Sequence, residues 1–561
     1  MRYAAQRPLR ICLGALALVI GGGAGCGSDT ASPSLSSPGN SGGNAGTSVA
    51  GSSSGGATQD ASPPGSAGQG GGTNLASLGP GGIGAAQSQP LSTLADACGG
   101  LATGLSIHEV AVYQTVKIAV DTDGTEIAAG SRNADVVTGR DAVFRIQVAV
   151  ASGWTPRQLS ARVWIRQSAD ATPTLFFSKA TISASSVEAD VKSTFQVTVP
   201  KDSIDLDTSY AVEVVECTSP APAGDMVSPR FPAGTDFAAV GARSTGGLQV
   251  EIIPIMANGR LPDTSDTGLA IYKAIMLAMY PIDSFDLTVG APMTLTTYPI
   301  DWVGALDQLR ARRATDAPPA EVYYFGLVKP EDTLAKFCGN SCTMGIGYVT
   351  GTQSGAAQGR VAMGAGFGDS LSALVMPHEV GHNHGRNHAP CVTAGGMITG
   401  IDPNFPDPNG KDGVYGWDAR SMALMGPTRT DVMGYCNSKW ISDYTYQGLL
   451  EHVATVNAAL SVYTVAPPPS APSVSTLELH HVLLVDGKGP RWGIRHPVAM
   501  LPGGTPEMAD ILDASGKVLQ QIEVYRTGIS DLDASSIEIP APRPGWVSVR
   551  VAGAPPIAFQ R

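Results

Sequence analysis

Hydrophobic and polar residues alternate along several short stretches in the N-terminal half of the chain. The stretches with this period of two are residues 143–148, 161–165, 195–199 and 210–215, with turn-forming residues between them. Such alternation places one face of each strand against a core, and the set predicts a β-sandwich over residues 93–240. Residues 473–561 are also strand-rich, with hairpin signals at Asp486-Gly487 and Ser515-Gly516, and predict a small C-terminal β module.

Residues 241–465 combine strand and helix patterns. The predicted elements are strands at 248–255 and 321–328, an edge strand at 344–349, and helices at 267–279 and 440–459. Asp369 or Ser370 is a suitable N-cap for a further helix leading to residue 378, and Pro377 should make that helix kink or begin late. The proline-rich residues 466–472 predict a linker. The whole pattern predicts a multidomain chain in which an α+β domain, a mixed twisted sheet with helices, is flanked by two β modules.

The first 92 residues have the composition of an export signal followed by a tether. Basic residues precede an apolar run at residues 11–20, and Gly23-Ala24-Gly25-Cys26 resembles a bacterial lipobox, although Gly23 stands where that motif usually has Leu. Residues 1–26 are therefore predicted to be a signal peptide with Cys26 as the lipidation site. The alternative is an ordinary signal peptide that contains a cysteine. Residues 27–92 contain no aromatic residue, Lys or Arg, and predict a disordered tether.

An acyl chain on Cys26 would be the only membrane attachment that the sequence predicts. We therefore expect an exported protein, anchored by lipid to the bacterial outer membrane or cell surface, or otherwise secreted. The charge balance excludes nucleic acid as a partner, because 36 basic residues stand against 48 acidic ones and no basic run occurs. Proteins that bind nucleic acid by neutralising phosphates need a basic patch.

Six of the eight cysteines lie beyond the signal and the lipidation site. An even number in an exported chain predicts disulfides, and the candidates are Cys98, Cys217, Cys338, Cys342, Cys391 and Cys436. Cys98 precedes the strands of the first β module and Cys217 follows the last of them, so these two can close that module. Cys338 and Cys342 could form half of a zinc site, but no second pair has suitable spacing, which favours a local disulfide.

The candidate chemistry lies in residues 378–388, which hold four of the nine histidines. His378 and His382 share one face of a helix and can bind one metal ion. Gly385 can end that helix and turn the chain, which lets His388 become a third ligand. Three neutral imidazoles leave a fourth position open on Zn²⁺, as in catalytic sites. Glu379 can then act on a water activated at the zinc without binding the ion itself.

Two simpler interpretations of this run remain open: a solvated, histidine-rich helix end, and a metal site that is only structural. His384 lies off the face shared by His378 and His382. We expect it to be exposed to solvent or to support the ligands, and not to bind the metal.

The pattern His-Glu-x-x-His-x-x-Gly-x-x-His resembles the signature of the metzincin metallopeptidases. Asp431-Val432-Met433-Gly434-Tyr435 is similar to the methionine turn that lies beneath the metal in that family. A rival turn, Met425-Gly426, lacks the tyrosine. The resemblance implies a metzincin-like catalytic domain over residues 241–465, with Met433 beneath the metal and Tyr435 as a metal ligand or a stabiliser of the oxyanion.

The leading interpretation is a zinc-dependent endopeptidase that hydrolyses extracellular proteins or glycoproteins, with Glu379 as general base. By the resemblance, the substrate would bind in extended form along the edge strand. One alternative is a surface adhesin or glycan-binding lipoprotein with a vestigial metal domain, which the intact Glu379 disfavours. Another is a zinc hydrolase of non-peptide amides.

Two further expectations concern the surroundings of this motif. Residues 402–412 carry Asp and Asn side chains that suit Ca²⁺, but their spacing does not match the EF-hand loop, which favours a plain surface loop. Cys391 and Cys436 lie three residues after His388 and Met433. If both motifs are assigned correctly, the two cysteines converge below the metal and form a disulfide.

Overall fold

Strands dominate the part of the chain that the computed structural model describes, which is residues 96–217, 227–339, 342–391, 399–463, 478–498 and 503–560. The structure is 38% strand and 19% helix, with several antiparallel sheets. The prediction of an α+β metzincin-like domain as the core of the fold is therefore wrong. Helix patterns are local, whereas the strand pairings that join distant residues leave little local signal. The predicted signal peptide, the lipidation site Cys26, the tether and the linker lie outside the described residues.

The elements fall into three consecutive groups. Residues 96–243 contain β1 (Leu105–Thr122), β2 (Thr125–Glu126), β3 (Val136–Val137), β4 (Ala142–Val150), β5 (Arg157–Arg166), β6 (Thr174–Ile182), β7 (Phe195–Val199), β8 (Ser209–Glu216), β9 (Arg230–Phe231), β10 (Ala238–Ala239) and β11 (Ala242–Arg243). Residues 248–463 contain β12 (Leu248–Met256), α1 (Asp266–Met279), β13 (Phe285–Val289), β14 (Met293–Thr294), α2 (Trp302–Asp316), β15 (Val322–Val328), α3 (Leu334–Cys338), β16 (Gly345–Gly347), β17 (Val361–Ala365), α4 (Ser370–Ala373), α5 (Val375–Asn383), β18 (Gly416–Asp418), β19 (Ala423–Met425), β20 (Thr430–Asp431), β21 (Lys439–Trp440) and α6 (Asp443–Tyr463). Residues 478–560 contain β22 (Glu478–Asp486), β23 (Gly489–Trp492), β24 (His496–Val498), β25 (Thr505–Leu512), β26 (Val518–Ile529), β27 (Ala534–Ile539), β28 (Ser548–Arg550) and β29 (Ile557–Ala558).

Two antiparallel sheets share the core of the first group. One has the order β19-β18-β1-β4-β7 and the other the order β10-β8-β5-β6. The alternating residues of β4 and β8 put Phe144 against Tyr210, with ring centroids 5.5 Å apart. Both side chains are fully buried, which is what the period of two predicts for strands with one face on a core.

The first sheet also receives strands from the middle of the chain. β18 pairs with β1, with Thr115 opposite Trp417. The Thr115 hydroxyl donates to the Ala278 carbonyl at 2.7 Å, and the Trp440 indole N–H donates to the Thr115 carbonyl at 3.0 Å. Hydrogen bonds from side chains to main-chain carbonyl oxygens therefore connect the first group to the residues around α1 and α6. The two parts also share a hydrophobic core.

A third sheet, with the order β13-β12-β15-β17-β16, supports the region of the histidine motif. β12, β13, β15 and β17 run parallel, and β16 runs antiparallel to β17 at the edge. α5 packs closely on this edge because two glycines leave room for it. A Cβ at Gly345 would lie 2.6 Å from Glu379 Oε1, and one at Gly347 would lie 2.9 Å from the Glu379 carbonyl oxygen.

The C-terminal group forms one sheet in the order β23-β22-β27-β26-β25-β28-β29. The predicted hairpins at Asp486-Gly487 and Ser515-Gly516 are confirmed as the β22–β23 and β25–β26 connections. The turn between β26 and β27 projects towards the third sheet, where Ile529 forms an antiparallel bridge with Tyr348. This contact brings the C-terminal sheet to the edge strand beside α5.

Candidate metal centre

A short helix, α5, carries the first two predicted ligands. α4 begins after Asp369, whose carboxylate accepts hydrogen bonds from the N–H groups of Leu371 and Ser372. α5 then starts at Val375, so Pro377 falls in its first turn, where the missing N–H is tolerated. The interruption expected near this proline, a kink or a late start, is found as the break at Leu374 between α4 and α5.

The end of α5 is fixed to the sheet and followed by a sharp turn. Asn383 donates through Nδ2 to the carbonyl oxygens of Tyr348 at 2.8 Å and Val361 at 2.9 Å. Gly385 has a φ of +72°, which residues with a Cβ rarely adopt. This turn brings His388 back towards the helix, as the spacing of the motif predicted.

Each predicted ligand is oriented by a main-chain carbonyl oxygen. The Nδ1 atoms of three histidines contact these oxygens: His378 to Val432 at 2.7 Å, His382 to Arg386 at 2.6 Å, and His388 to Thr399 at 2.6 Å. A carbonyl oxygen only accepts, so each Nδ1 carries the proton and each Nε2 presents a lone pair. Burial lowers the pKa of His378 and lowers that of His382 well below its usual value, which favours the neutral form that metals bind.

The three Nε2 atoms converge on one point. His378 Nε2 and His382 Nε2 are 3.2 Å apart, and together with His388 and a carboxylate oxygen of Asp531 they lie within 4.8 Å of one another. Lone pairs that face each other at this distance repel unless a cation lies between them. Ligand atoms about 2.0–2.1 Å from Zn²⁺ in a tetrahedron are about 3.3 Å apart, so the set fits such an ion. This buried group could bind a metal ion.

Asp531 is the member of this group that the sequence did not predict. Its Oδ1 lies 3.7 Å from His378 Nε2 and 3.5 Å from His388 Nε2, and its Oδ2 lies 3.8 Å from His382 Nε2. Burial alone would raise the pKa of Asp531, but the contacts with His378 and His388 hold it well below its usual range. A carboxylate oxygen of Asp531 therefore lies where the three imidazole Nε2 atoms meet.

Glu379 lies between the metal helix and the edge strand. Its carboxylate is buried, and Ser530 donates a hydrogen bond through Oγ to Oε2 at 3.1 Å. Burial raises the pKa of Glu379 well above its usual range, and the charge of Asp531 adds to this effect. Glu379 is thus next to the ligand group but is not one of its members, as the motif predicted.

The segment proposed as a methionine turn lies beneath α5. A Cβ at Gly381 would lie 2.5 Å from the sulfur of Met433, so the thioether packs directly under the helix between the two ligands. Tyr435 follows, with its hydroxyl 3.2 Å from His388 Nε2 and also donating to Asp531. The structure therefore brings Met433 and Tyr435 to the ligand group, whereas Met425 lies in β19 of another sheet.

Three disulfides are present, in the pairing that the sequence favoured: Cys98–Cys217, Cys338–Cys342 and Cys391–Cys436. The third joins the loop after His388 to the segment after Met433, with 5.7 Å between the Cα atoms. Two main-chain hydrogen bonds run beside it, from Ala389 to Met433 and from Tyr435 to Cys391. The expected convergence of the two segments is confirmed.

His384 differs from one of its two predicted environments. It is 2% exposed and stacks on Tyr323, with ring centroids 4.7 Å apart. Its Nδ1 contacts the Val380 carbonyl oxygen at 2.7 Å. Burial, together with the nearby His452, lowers its pKa well below the usual value. The expectation of solvent exposure was therefore wrong, because His384 at the end of α5 packs against Tyr323 of the third sheet.

Residues 402–412 form no metal site with the neighbours that the structure describes. The group around His378 is the one set of such side chains found in the described ranges. Asp402 accepts from the Asn404 N–H and from the Tyr444 hydroxyl, and Asp407 accepts from the Asn409 N–H. These two carboxylates thus hold the loop, and Ca²⁺ binding here stays a prediction.

A cleft of about 650 Å³ opens beside the imidazoles of His382 and His388. Its lining includes Val349, Gln353 and residues between Arg526 and Ala534. Ser530 and Asp531 are the functional residues that the sequence analysis missed. Ser530 lies 151 residues after Glu379 in the sequence. No motif around Ser530 or Asp531 indicates that they reach this site.

The environment of the protein follows in part from these features. Three disulfides indicate an extracellular or otherwise oxidising location. Among the described residues, no helix is both long and apolar enough to span a membrane. Neither a protein-family model nor a curated protein matches the chain.

Proposed function

We propose that the protein is an exported zinc endopeptidase. The observation that carries this proposal is the convergence of three imidazole Nε2 atoms with Glu379 alongside them and an edge strand next to both. The proposal keeps the resemblance to metzincins for the local motif and for the turn at Met433, not for the fold as a whole. Export, with a lipid anchor on Cys26, is part of the same proposal.

The residues present would divide the work of peptide hydrolysis. His378, His382 and His388 would hold the zinc, which when bound supplies a Lewis acid for a peptide carbonyl and lowers the pKa of water. The three main-chain carbonyl partners keep each Nε2 turned to the same point. Such outer partners fix ligand orientation and so contribute to metal affinity.

Glu379 would act as the general base and then as the acid that protonates the leaving amine. Burial raises the pKa of Glu379 above its usual range, which makes its carboxylate a stronger base than an exposed one. The carboxylate is within reach of the edge strand, because only the absence of a Cβ at Gly345 makes room for it. A peptide lying along β16 would therefore pass directly over Glu379.

Tyr435 would stabilise the oxyanion that forms on the scissile carbonyl. Its hydroxyl lies 3.2 Å from His388 Nε2 and is a donor in the structure, where it bonds to Asp531. A donor placed where charge develops stabilises the transition state more than the substrate. Burial, together with the charge of Asp531, raises the pKa of Tyr435, so the hydroxyl keeps its proton at neutral pH.

A second candidate function has one observation in its favour. Asp531 fills the fourth position, and a set of four protein ligands is typical of structural zinc sites. The protein would then be an adhesin or glycan-binding protein in which the metal holds the C-terminal sheet in place.

The test measures hydrolysis and metal together. The full exported chain, its Asp531→Gly variant and the Asp531→Gly/Glu379→Gln double variant are incubated with casein and with a mucin-type glycoprotein. We expect cleavage by Asp531→Gly, loss of cleavage with a zinc chelator and recovery on adding zinc. If Asp531→Gly binds one zinc per chain and cleaves neither substrate, the peptidase proposal fails and the structural role is favoured.

A further inference from the structure

The edge strand beside the metal group is already paired with another segment of the chain. We give the name blocking turn to residues 528–531, which end β26 and enter the turn before β27. The Ser530 N–H donates to the Gly347 carbonyl oxygen at 2.8 Å, and the Val349 N–H donates to the Gly528 carbonyl oxygen at 3.0 Å. These bonds run in the antiparallel sense on either side of the Tyr348–Ile529 bridge. An extended peptide that adds to a sheet edge makes the same main-chain bonds.

Side chains of the blocking turn also occupy the groups assigned to catalysis. Ser530 Oγ accepts from the Gly347 N–H at 2.7 Å and donates to Glu379 Oε2 at 3.1 Å. Asp531 accepts from the Tyr435 hydroxyl. The general base and the oxyanion donor are therefore both bonded to this turn and not to a substrate.

Asp531 has the position of a ligand to the same ion as the three histidines. Its two oxygens lie 3.5–3.8 Å from the three Nε2 atoms, close to the edges of a tetrahedron around one ion. Its side chain is 11% exposed. A buried carboxylate and the lone pairs of three imidazole Nε2 atoms repel each other at this distance unless a cation lies between them.

We propose that Asp531 is a fourth protein ligand of the metal and that the blocking turn holds the enzyme latent by occupying the place of the substrate. This inference rests on the proposed function and adds its regulation. Because the turn belongs to the same chain, its effective concentration at the cleft is high, and a peptide in solution competes poorly with it. Activity then requires that the turn leave the edge strand.

The backbone at Asp531 determines which variants test this cleanly. Its φ is +59°, a conformation that Gly and Asn tolerate better than other residues. Asp531→Gly removes the carboxylate, and Asp531→Asn keeps the shape of the side chain but not its charge. Glu523→Gln is the matched control, because Glu523 is exposed, lies in β26, the strand that ends in the blocking turn, and is outside both the ligand group and the cleft lining.

The experiment uses the full chain loaded with Co²⁺, whose visible spectrum reports the ligands, and with Zn²⁺ for cleavage of casein. Acetohydroxamate, a small chelating anion, serves as the probe of an open metal position. We expect it to leave the spectra of the wild type and of Glu523→Gln unchanged and to shift those of Asp531→Gly and Asp531→Asn. Casein cleavage by Asp531→Gly should exceed that of the wild type by at least tenfold.

Each other outcome has a definite meaning. If the wild type binds acetohydroxamate as well as Asp531→Gly does, Asp531 is not a ligand and the inference is overturned. Equal casein cleavage by the wild type and Asp531→Gly overturns the latency. If both Asp531 variants lose the metal while staying folded, the three histidines do not hold the ion without Asp531. The turn then cannot leave a metal-loaded site behind, and the latency is overturned. If the spectra change as expected but no variant cleaves casein, the ligand assignment stands and the proposed function fails. Asp531→Asn decides these points should Asp531→Gly not fold.

Discussion

The two sides of the metal centre are built in opposite ways. The ligand side comes from residues 378–391 and 431–436, which are tied to each other by main-chain hydrogen bonds and by the Cys391–Cys436 disulfide. The opposite side is the blocking turn, which belongs to the C-terminal sheet and meets the centre through hydrogen bonds of Gly528, Ser530 and Asp531, not through a disulfide. The position of the ligands is thus determined locally, whereas access to them is determined by a distant segment. In a site of this kind, the turn can move away while the histidines keep their positions.

The largest expected effect is on catalysis by the ligand side. In the Asp531→Gly background, Glu379→Gln should reduce casein cleavage by roughly 10²–10⁴-fold, the usual effect of removing a general base. Bound zinc should stay at one per chain, because Glu379 is not in the ligand group. Cleavage rates and metal content are measured on the same samples. Undiminished turnover would remove Glu379 from the mechanism.

The next effect separates two buried histidines in one motif. His388→Ala should weaken zinc binding by more than the roughly 10–100-fold that results from losing a ligand's outer partner. His384→Ala is the matched control, since it also removes a buried imidazole but one that stacks on Tyr323. Competition with a chelator of known affinity measures both. Full zinc retention by His388→Ala would contradict the ligand assignment.

The disulfide on the ligand side should contribute both stability and metal affinity. Replacing Cys391 and Cys436 by Ser opens a loop of 45 residues and should lower the free energy of unfolding by about 3–4 kcal/mol. The control replaces Cys338 and Cys342, which close a much shorter loop and should cost about 2 kcal/mol by the same relation. Denaturant unfolding gives both values. A loss of zinc affinity is expected for the first pair of substitutions only. An equal loss in the control would show that the Cys391–Cys436 disulfide has no specific part in holding the ligands.

The smallest effect concerns an unsatisfied carboxylate in the loop that pairs with Thr430, just before the second segment of the ligand side. Asp412 is 3% exposed, and neither of its oxygens has a hydrogen-bond partner among the described residues. Burial, reinforced by the charge of Asp431, raises the pKa of Asp412 to about 9 from an ordinary value of 3.8. A pKa raised on folding gives a stabilising contribution that is present below about pH 4 and is lost as the pH rises towards 9.

Asp412→Asn does not titrate and avoids this loss. Its free energy of unfolding should therefore match that of the wild type most closely near pH 4 and exceed it increasingly as the pH rises from there towards 9. Urea unfolding at several pH values measures the difference between the two proteins. A difference that stays constant with pH would show that Asp412 does not titrate as described.

The ligand side was predictable because its information is local. The four-residue spacing of His378 and His382 and the glycine at 385 determine geometry within a few turns of chain. Hairpins with Asp-Gly or Ser-Gly turns and the helix at 267–279 were predictable for the same reason, and the structure has that helix as Asp266–Met279. The mostly β architecture was not, because pairings such as Thr115 with Trp417 join residues far apart in the sequence. Ser530 and Asp531 were missed for that reason too.

The carbonyl partners of the three histidines have a consequence for how this protein can evolve. Since Val432, Arg386 and Thr399 hold the imidazoles through main-chain oxygens, a change of side chain at these positions leaves the orienting bonds in place. Thr399 is only partly buried and lines the cleft. Variation there can reshape the cleft next to His388, so the shape of the cleft is free to diverge at a position whose main chain also orients His388.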